Sequence, residues 1–104
     1  MNDILEKAAN LLMYSGPKME DLIRNALLAG NKYEIVKEEE LKILAVHQTF
    51  AYGTEAIDKY YYNGSNELIK QSLYMRDKEK TIFDKYEETR ALLIMFDEEN
   101  ILVS

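Results

Sequence analysis

Residues 38–62, EEELKILAVHQTFAYGTEAIDKYYY, contain the pattern from which we predict the fold. Apolar, aromatic and small residues recur in this stretch at spacings of three and four, which places them on one face of an α-helix. We therefore predict one long helix over residues 38–62. Its buried stripe would consist of Ile43, Val46, Phe50, Gly53, Ile57 and Tyr60.

Glycine and proline positions divide the rest of the chain. Gly16-Pro17 and Gly30-Asn31 are typical helix breaks, so two short helices are predicted before Gly30. Asn63-Gly64 ends the third helix, and Ser65 caps a fourth that continues to Glu98. The predicted fold is a single all-α domain over residues 1–104, resembling a four-helix bundle, in which two short helices form an antiparallel hairpin against two long ones.

Two short segments compete with this all-helical prediction. Residues 32–37, KYEIVK, and residues 101–103, ILV, are rich in β-branched and aromatic side chains that favour strands. They could form a minimal two-stranded pairing, or they could be irregular connections packed on the core.

The predicted fourth helix is long for a domain of this size. It would extend roughly 50 Å at 1.5 Å per residue, with a seam of Leu68, Met75, Ile82, Thr89 and Phe96. Either it bends near the charged run at residues 76–80, or its end packs on another subunit. Residues 91–96 are apolar on all sides, which favours a subunit contact and a homo-oligomer.

Composition excludes several classes of function. The formal net charge is −6 with no basic patch, so we expect neither direct nucleic-acid binding nor attachment to anionic membranes. The absence of cysteine excludes disulfides, thiolate metal sites and a cysteine nucleophile. No signal peptide and no membrane span are apparent, and we expect a cytoplasmic protein without cofactor or metal.

His47, the single histidine, could be a general base or a ligand in a cleft. On a helix, a metal site would need ligands three or four residues away. Those positions hold side chains that cannot bind metal: Ile43, Leu44, Phe50 and Ala51. The alternative is a boundary histidine that is hydrogen-bonded to a neighbour.

Tyr60, Tyr61 and Tyr62 would point in three directions on a helix, so at least one should be exposed or lie at an interface. Together with Tyr52 they could form a binding surface for a protein or a stacking platform for a planar ligand. The alternative is a helix end covered by loops.

The acidic runs at residues 38–40 and 97–99 could mimic nucleic-acid phosphates, or they could be solvated surface. The second run should mark the end of the fourth helix, because carboxylates oppose the dipole there.

Established catalytic motifs are absent from the sequence. We therefore predict a non-enzymatic, small acidic helical protein that binds a partner macromolecule. Its size and acidity would suit an accessory or inhibitor protein of a mobile genetic element. The alternative is a small-ligand site between helices or subunits for a nucleotide-like molecule, lined by His47, Tyr52, Lys59 and Tyr60, with Arg76 or Lys78 meeting a phosphate.

Overall fold

The protein is built from helices and a five-stranded antiparallel sheet, so the prediction of an all-α bundle is wrong. The computed structural model describes the backbone of residues 3–103 and the side chains of residues 3–99. The elements are α1 (Asp3–Met13), α2 (Met19–Leu28), β1 (Lys32–Glu38), β2 (Leu41–Thr49), a 3₁₀ turn (Ala51–Gly53), β3 (Glu55–Tyr62), β4 (Leu68–Met75), β5 (Lys78–Asp84) and α3 (Lys85–Val103).

The two short N-terminal helices are present where they were predicted, on either side of Gly16-Pro17. They do not form the predicted hairpin, because α1 packs along α3 while α2 packs on the sheet. Residues 32–37 do form a strand, but it pairs with β2. Residues 101–103, the proposed partner, belong to α3.

Residues 38–62 form no α-helix. They contain the last residue of β1, the turn to β2, β2 itself, the 3₁₀ turn and β3. Ile43, Val46 and Ile57 are β-branched and suit a pleated strand as well as a helical stripe. The chain reverses through left-handed backbone at Glu39 (φ 54°) and at Tyr52-Gly53 (φ 66° and 72°). Phe50, assigned to the buried stripe, is half-exposed in the loop.

The predicted fourth helix is also divided. Arg76 and Asp77 both have positive φ, 52° and 63°, as a two-residue hairpin turn between β4 and β5 requires. The expected bend near residues 76–80 is therefore a full reversal of the chain. A helix begins only at Lys85 and continues through the acidic run at residues 97–99 to Val103, so that run does not end it.

The strands follow one another in the order β1-β2-β3-β4-β5, each antiparallel to the next. Alternate residues point to opposite sides of a strand, and paired residues share a side. One side, which we call the covered face, carries Leu44 opposite Tyr60 and lies under α2. The other side, which we call the open face, carries Ala45 opposite Lys59.

The core of the covered face is the contact between α2 and the centre of the sheet. Leu44, Val46 and Ala26 are buried, with Met19, Leu22, Ile23 and Tyr60 packed around them. The 3-4 spacing of the α2 residues supplies the helical side of this contact.

A second buried region joins the connection between α1 and α2 to the sheet. The Tyr62 hydroxyl donates to the Pro17 carbonyl at 2.7 Å, and the Leu68 N–H donates to the Ser15 carbonyl at 2.9 Å. Gly16 has φ 74°, and a Cβ built there would lie 2.7 Å from the Leu68 Cβ, so this position requires glycine.

Lys85 anchors the start of α3 to the same region. Its ammonium donates to the Tyr14 carbonyl at 2.9 Å and to the Glu67 carboxylate at 2.8 Å. The Thr89 hydroxyl donates to the Lys85 carbonyl, and the Tyr14 ring meets the Phe83 ring edge-on. This buried ammonium therefore donates two hydrogen bonds, one of them to a carboxylate.

The molecule is elongated, with extents of 56 × 30 × 25 Å, and α1 packs along α3. Leu93, Ile94 and Met95 are exposed on α3, as are Leu5 and Leu12 on α1. A subunit contact at residues 91–96 stays a prediction.

Candidate binding face and cleft

In the described part of the chain, α2 packs on the covered face, and strand side chains form the open face. Strand register places Lys59 beside Ala45 and Tyr61 beside Ile43. Ile43 and Ala45 are buried on this face, because longer side chains on the neighbouring strand lie next to them. The exposed side chains of the open face are therefore polar and aromatic, and they lie over the apolar side chains of Ile43 and Ala45.

Two lysine–tyrosine pairs organise the middle of the open face. The Lys59 ammonium lies 5.7 Å from the centre of the Tyr74 ring, and the Lys70 ammonium lies 5.3 Å from the centre of the Tyr61 ring. At exposed sites such cation–π contacts each contribute about 0.5–1 kcal/mol. They orient the two rings while keeping them partly accessible.

Glu79 links these groups on the outer strand β5. Its carboxylate accepts a hydrogen bond from the buried Ser72 hydroxyl at 2.7 Å and lies 3.8 Å from the Lys59 ammonium. The Ser72 hydrogen bond, followed by the positive charges of Lys59 and Lys70, lowers the pKa of Glu79. The carboxylate therefore remains ionised at neutral pH and helps to hold Lys59 over the face.

A cleft of about 700 Å³ opens at one end of this face. It forms where the beginnings of β1 and β3 meet the ends of β2 and β4. The turn between β4 and β5 completes its wall. Polar and aromatic side chains line it, among them Lys32, Glu34, His47, Thr49, Glu55, Tyr74, Arg76 and Asp77.

Two side-chain pairs are fixed within the cleft. His47 Nε2 lies 3.1 Å from Glu34 Oε1, and the Tyr74 hydroxyl donates to Asp77 Oδ1 at 3.1 Å. The hydrogen bond to Asp77, together with the negative charge of that carboxylate, raises the pKa of Tyr74. A carboxylate on one imidazole nitrogen orients the ring of His47.

Four of the predicted site residues lie on this surface. His47 and Arg76 line the same cleft, and Lys59 and Tyr61 lie on the adjoining open face. Strand register brings them together, and the helical arrangement from which they were chosen does not exist.

The other four predicted residues lie elsewhere. Tyr60 and Tyr62 lie on the covered face. Burial is the main cause of the raised pKa of both hydroxyls, and the pKa of Tyr62 rises to about 12. Tyr52 is fully exposed in the loop between β2 and β3, and Lys78 is exposed at the start of β5. The predicted cluster of Tyr52 with Tyr60–Tyr62 is therefore not formed.

Sequence reasoning missed Glu34, Tyr74 and Asp77 in the cleft, and Lys70 and Glu79 on the open face. The alternation of residue types along β4 indicates that Lys70 and Tyr74 share a face, because Lys70, Ser72 and Tyr74 are spaced two residues apart. Their partners on β1 and β5 depend on pairing register, which sequence alone does not supply.

The two acidic runs do not contribute to the cleft. Residues 38–40 end β1 and form its turn to β2, and residues 97–99 lie on α3. All six side chains are exposed, as expected of solvated surface.

Comparison with protein-family models, with curated proteins and with solved structures finds no match to this chain. Among the described residues, no group of three or more His, Cys, Asp or Glu side chains is placed to hold a metal ion. No helix in the described part of the chain has the length and apolar character needed to cross a membrane. A functional assignment therefore depends on the open face and the cleft themselves.

Proposed function

We propose that this is a non-enzymatic binding protein whose open face and cleft recognise a partner protein. The observation that carries the proposal is a sheet face opposite the one on which α2 packs. On this face, among the described residues, Lys70 and Lys59 hold Tyr61 and Tyr74 partly accessible. Tyrosine is enriched at protein interfaces because its ring is apolar and its hydroxyl is polar.

The dimensions of the open face suit a protein partner. Five strands about 4.8 Å apart, each about 25 Å long, give a projected area of roughly 600 Å². A stable protein interface buries about 800 Å² of accessible surface on each partner. The face and its cleft together approach that size.

The charges of the cleft disfavour a phosphate ligand. Glu34, Glu55 and Asp77 contribute three carboxylates, whereas Lys32 and Arg76 contribute two cations. The cleft is also open, and its walls mix polar and apolar surface, unlike the mostly apolar and enclosed pockets typical of small-molecule sites. An extended polypeptide segment carrying a basic side chain fits this chemistry better.

The His47–Glu34 pair has the geometry that an oriented general base would need. Both side chains are solvent-exposed, His47 at 42% and Glu34 at 61%, and they lie on the paired strands β2 and β1. Exposed pairs of this kind are common on protein surfaces and contribute little to stability. We therefore propose that His47 contributes to partner recognition and not to catalysis.

Affinity capture with matched variants tests the proposal. The chain and its Tyr61→Ala/Tyr74→Ala double variant are used to capture proteins from lysate of cells that express it, with quantitative mass spectrometry. Tyr52→Ala is the control, because Tyr52 is a fully exposed tyrosine away from the open face. We expect a partner retained by the parent and the control and depleted at least tenfold with the double variant.

Thermal unfolding of all three proteins confirms that each is folded before capture. Partners that are retained equally by the parent and the double variant would contradict recognition through the open face. Loss of the partner with Tyr52→Ala alone would move the site to the loop between β2 and β3.

A small-ligand site is the second candidate, because His47 and Arg76, chosen for that role from the sequence, share the cleft. A thermal-shift panel of nucleotides and basic metabolites distinguishes the two functions, since a ligand at 100 times its Kd adds about 2.7 kcal/mol to stability. A shift that His47→Ala and Arg76→Ala abolish would support this candidate over a protein partner.

A cytoplasmic location and a role in a mobile genetic element are further parts of this proposal. The first is motivated by the absence of cysteine, and the second by the small size and acidity of the chain.

A further inference from the structure

Strand β1 forms one edge of the sheet, and all seven of its residues are exposed. Its side chains include three large apolar groups, Tyr33, Ile35 and Val36. An edge strand presents a row of unpaired backbone N–H and C=O groups to any strand that can lie beside it. A long edge that also carries apolar side chains favours such pairing.

The opposite edge, β5, is interrupted in a way that β1 is not. It begins with three consecutive charges, Lys78, Glu79 and Lys80, and a register shift interrupts its pairing with β4 next to Ser72. Both edges carry two lysines, which oppose strand addition, but β5 also has an irregular register with its neighbour and β1 does not. The two edges of this sheet therefore differ in their capacity to pair.

We propose that β1 pairs antiparallel with β1 of a second copy of this chain, about a two-fold axis at Ile35, to form a continuous ten-stranded sheet. In this register Lys32 lies opposite Glu38 of the second copy, Tyr33 lies opposite Lys37, and Ile35 meets its own counterpart. The two-fold symmetry repeats the Lys32–Glu38 pair. Opposite charges and aromatic groups in directly paired positions stabilise a sheet.

The register follows from the sequence of β1. Paired residues must share a face, so the axis has to pass through a residue of the strand. An axis at Glu34 places that carboxylate opposite its own counterpart. An axis at Val36 places Glu34 opposite Glu38 twice, and only Ile35 as centre pairs all seven residues without opposing like charges. The strand is thus complementary in charge to itself.

The pairing also extends the candidate cleft. Lys32 lines the cleft and points to the open face, as does Glu38 at the other end of β1. In the dimer, Glu38 of the second copy would lie beside Lys32 at the cleft wall. The two open faces would become one continuous surface, although the interface itself does not depend on the proposed function.

Cysteine cross-linking of the full chain tests the contact directly, because the natural sequence has no cysteine. Residues paired at a two-fold axis have Cα atoms about 4.5–5.5 Å apart, within the range that a disulfide can bridge. Ile35→Cys should form a covalent dimer under mild oxidation at micromolar concentration. Ile82→Cys is the matched control, since Ile35 and Ile82 are 49% and 48% exposed on opposite edges.

A charge exchange tests the register by light scattering and sedimentation. Lys32→Glu and Glu38→Lys should each weaken dimerisation about tenfold or more, because each creates two like-charge pairs. The double variant restores opposite charges and should dimerise as the parent does. Circular dichroism confirms folding, and all substituted side chains are exposed.

Three outcomes would overturn the proposal. The parent chain could remain monomeric at high concentration, which would leave β1 to a strand from another protein. Ile35→Cys could cross-link no faster than Ile82→Cys. Finally, a dimer that is insensitive to both charge variants would have to associate through another surface, such as the apolar residues of α3.

Discussion

The covered and open faces of the sheet use the same five strands but are stabilised differently. On the covered face, α2 excludes water from Leu44 and Val46, and apolar burial dominates. On the open face, Ala45 and Ile43 are buried beside the strand neighbours Lys59 and Tyr61. The open face should therefore tolerate substitution with little loss of stability, which is a property that a recognition surface needs.

The largest difference between the faces should come from removing apolar side chains. Leu44→Ala empties a fully buried site and should cost about 3–5 kcal/mol. Ile57→Ala, on the half-buried floor of the cleft, should cost about 1–2 kcal/mol, because its site remains open to water. Urea unfolding of both variants measures the difference. Equal losses would show that the open face is as well covered as the other.

The next difference concerns two lysine–glutamate pairs. Lys85–Glu67 joins a 2% exposed lysine to its carboxylate at 2.8 Å, whereas Lys59–Glu79 spans 3.8 Å between side chains that are 33% and 43% exposed. Lys85→Met leaves Glu67 and the Tyr14 carbonyl without their donor and should cost about 2–4 kcal/mol. Lys59→Met should cost less than about 1 kcal/mol.

Chemical denaturation at low and high salt separates these two effects. The loss from Lys59→Met should shrink in high salt, since exposed pairs are screened more strongly than buried ones. A salt-insensitive loss at Lys59 comparable to that at Lys85 would contradict the assignment of the open face as solvent-exposed.

Adjacent tyrosines on β3 give a smaller contrast. Tyr62→Phe removes the hydroxyl that donates to the Pro17 carbonyl and should cost about 1–2 kcal/mol, because the side chain of Tyr62 is buried. Tyr61→Phe, on the open face, should cost less than about 0.5 kcal/mol. Similar losses in thermal unfolding would be inconsistent with the alternation of β3 between the two faces.

The sequence was sufficient to locate the two N-terminal helices. Their ends coincide with Gly16-Pro17 and Gly30-Asn31, and 3-4 spaced residues between these breaks pack on a single surface. Local chemistry decides such elements. It also indicated that residues 32–37 could be a strand.

The sheet could not be identified in the same way. The run from Ile43 to Val46 is apolar without interruption, and such a run satisfies a buried strand as well as a helix. Gly53 and Phe50 completed the apparent stripe, although both lie in a loop. The heptad positions Leu68 and Met75 of β4 fit a helix as well, which hides the alternation of residue types along this strand.

The candidate site was predictable only in part. Their side-chain chemistry predicts ligand recognition by His47 and Arg76, and the structure brings both to one cleft. Glu34, Tyr74 and Asp77 belong to strands and turns that reach this cleft through pairing of β1 with β2 and of β3 with β4. Sequence spacing does not contain that register.

The smallest contrast is a pair of carboxylates whose effects on stability should have opposite signs. Asp58, on the covered face, accepts a hydrogen bond from Gln48, and burial raises the pKa of its carboxyl above 3.8. Ionisation is then less favourable in the folded chain, so this contribution to stability falls as pH rises from 3.8 through the folded pKa. Asp58→Asn should therefore be more stable than the parent at pH 7.

Glu79, on the open face, behaves in the reverse way. The Ser72 hydrogen bond lowers the pKa of Glu79 below 4.5, so its stabilising contribution is present above pH 4.5 and is lost as pH falls through the folded pKa. Glu79→Gln should accordingly be less stable than the parent at pH 7. Both variants should converge with the parent in acid, and melting temperatures from pH 2.5 to 8 measure this. If both variants changed stability in the same direction at pH 7, the two faces would not provide different environments for these carboxylates.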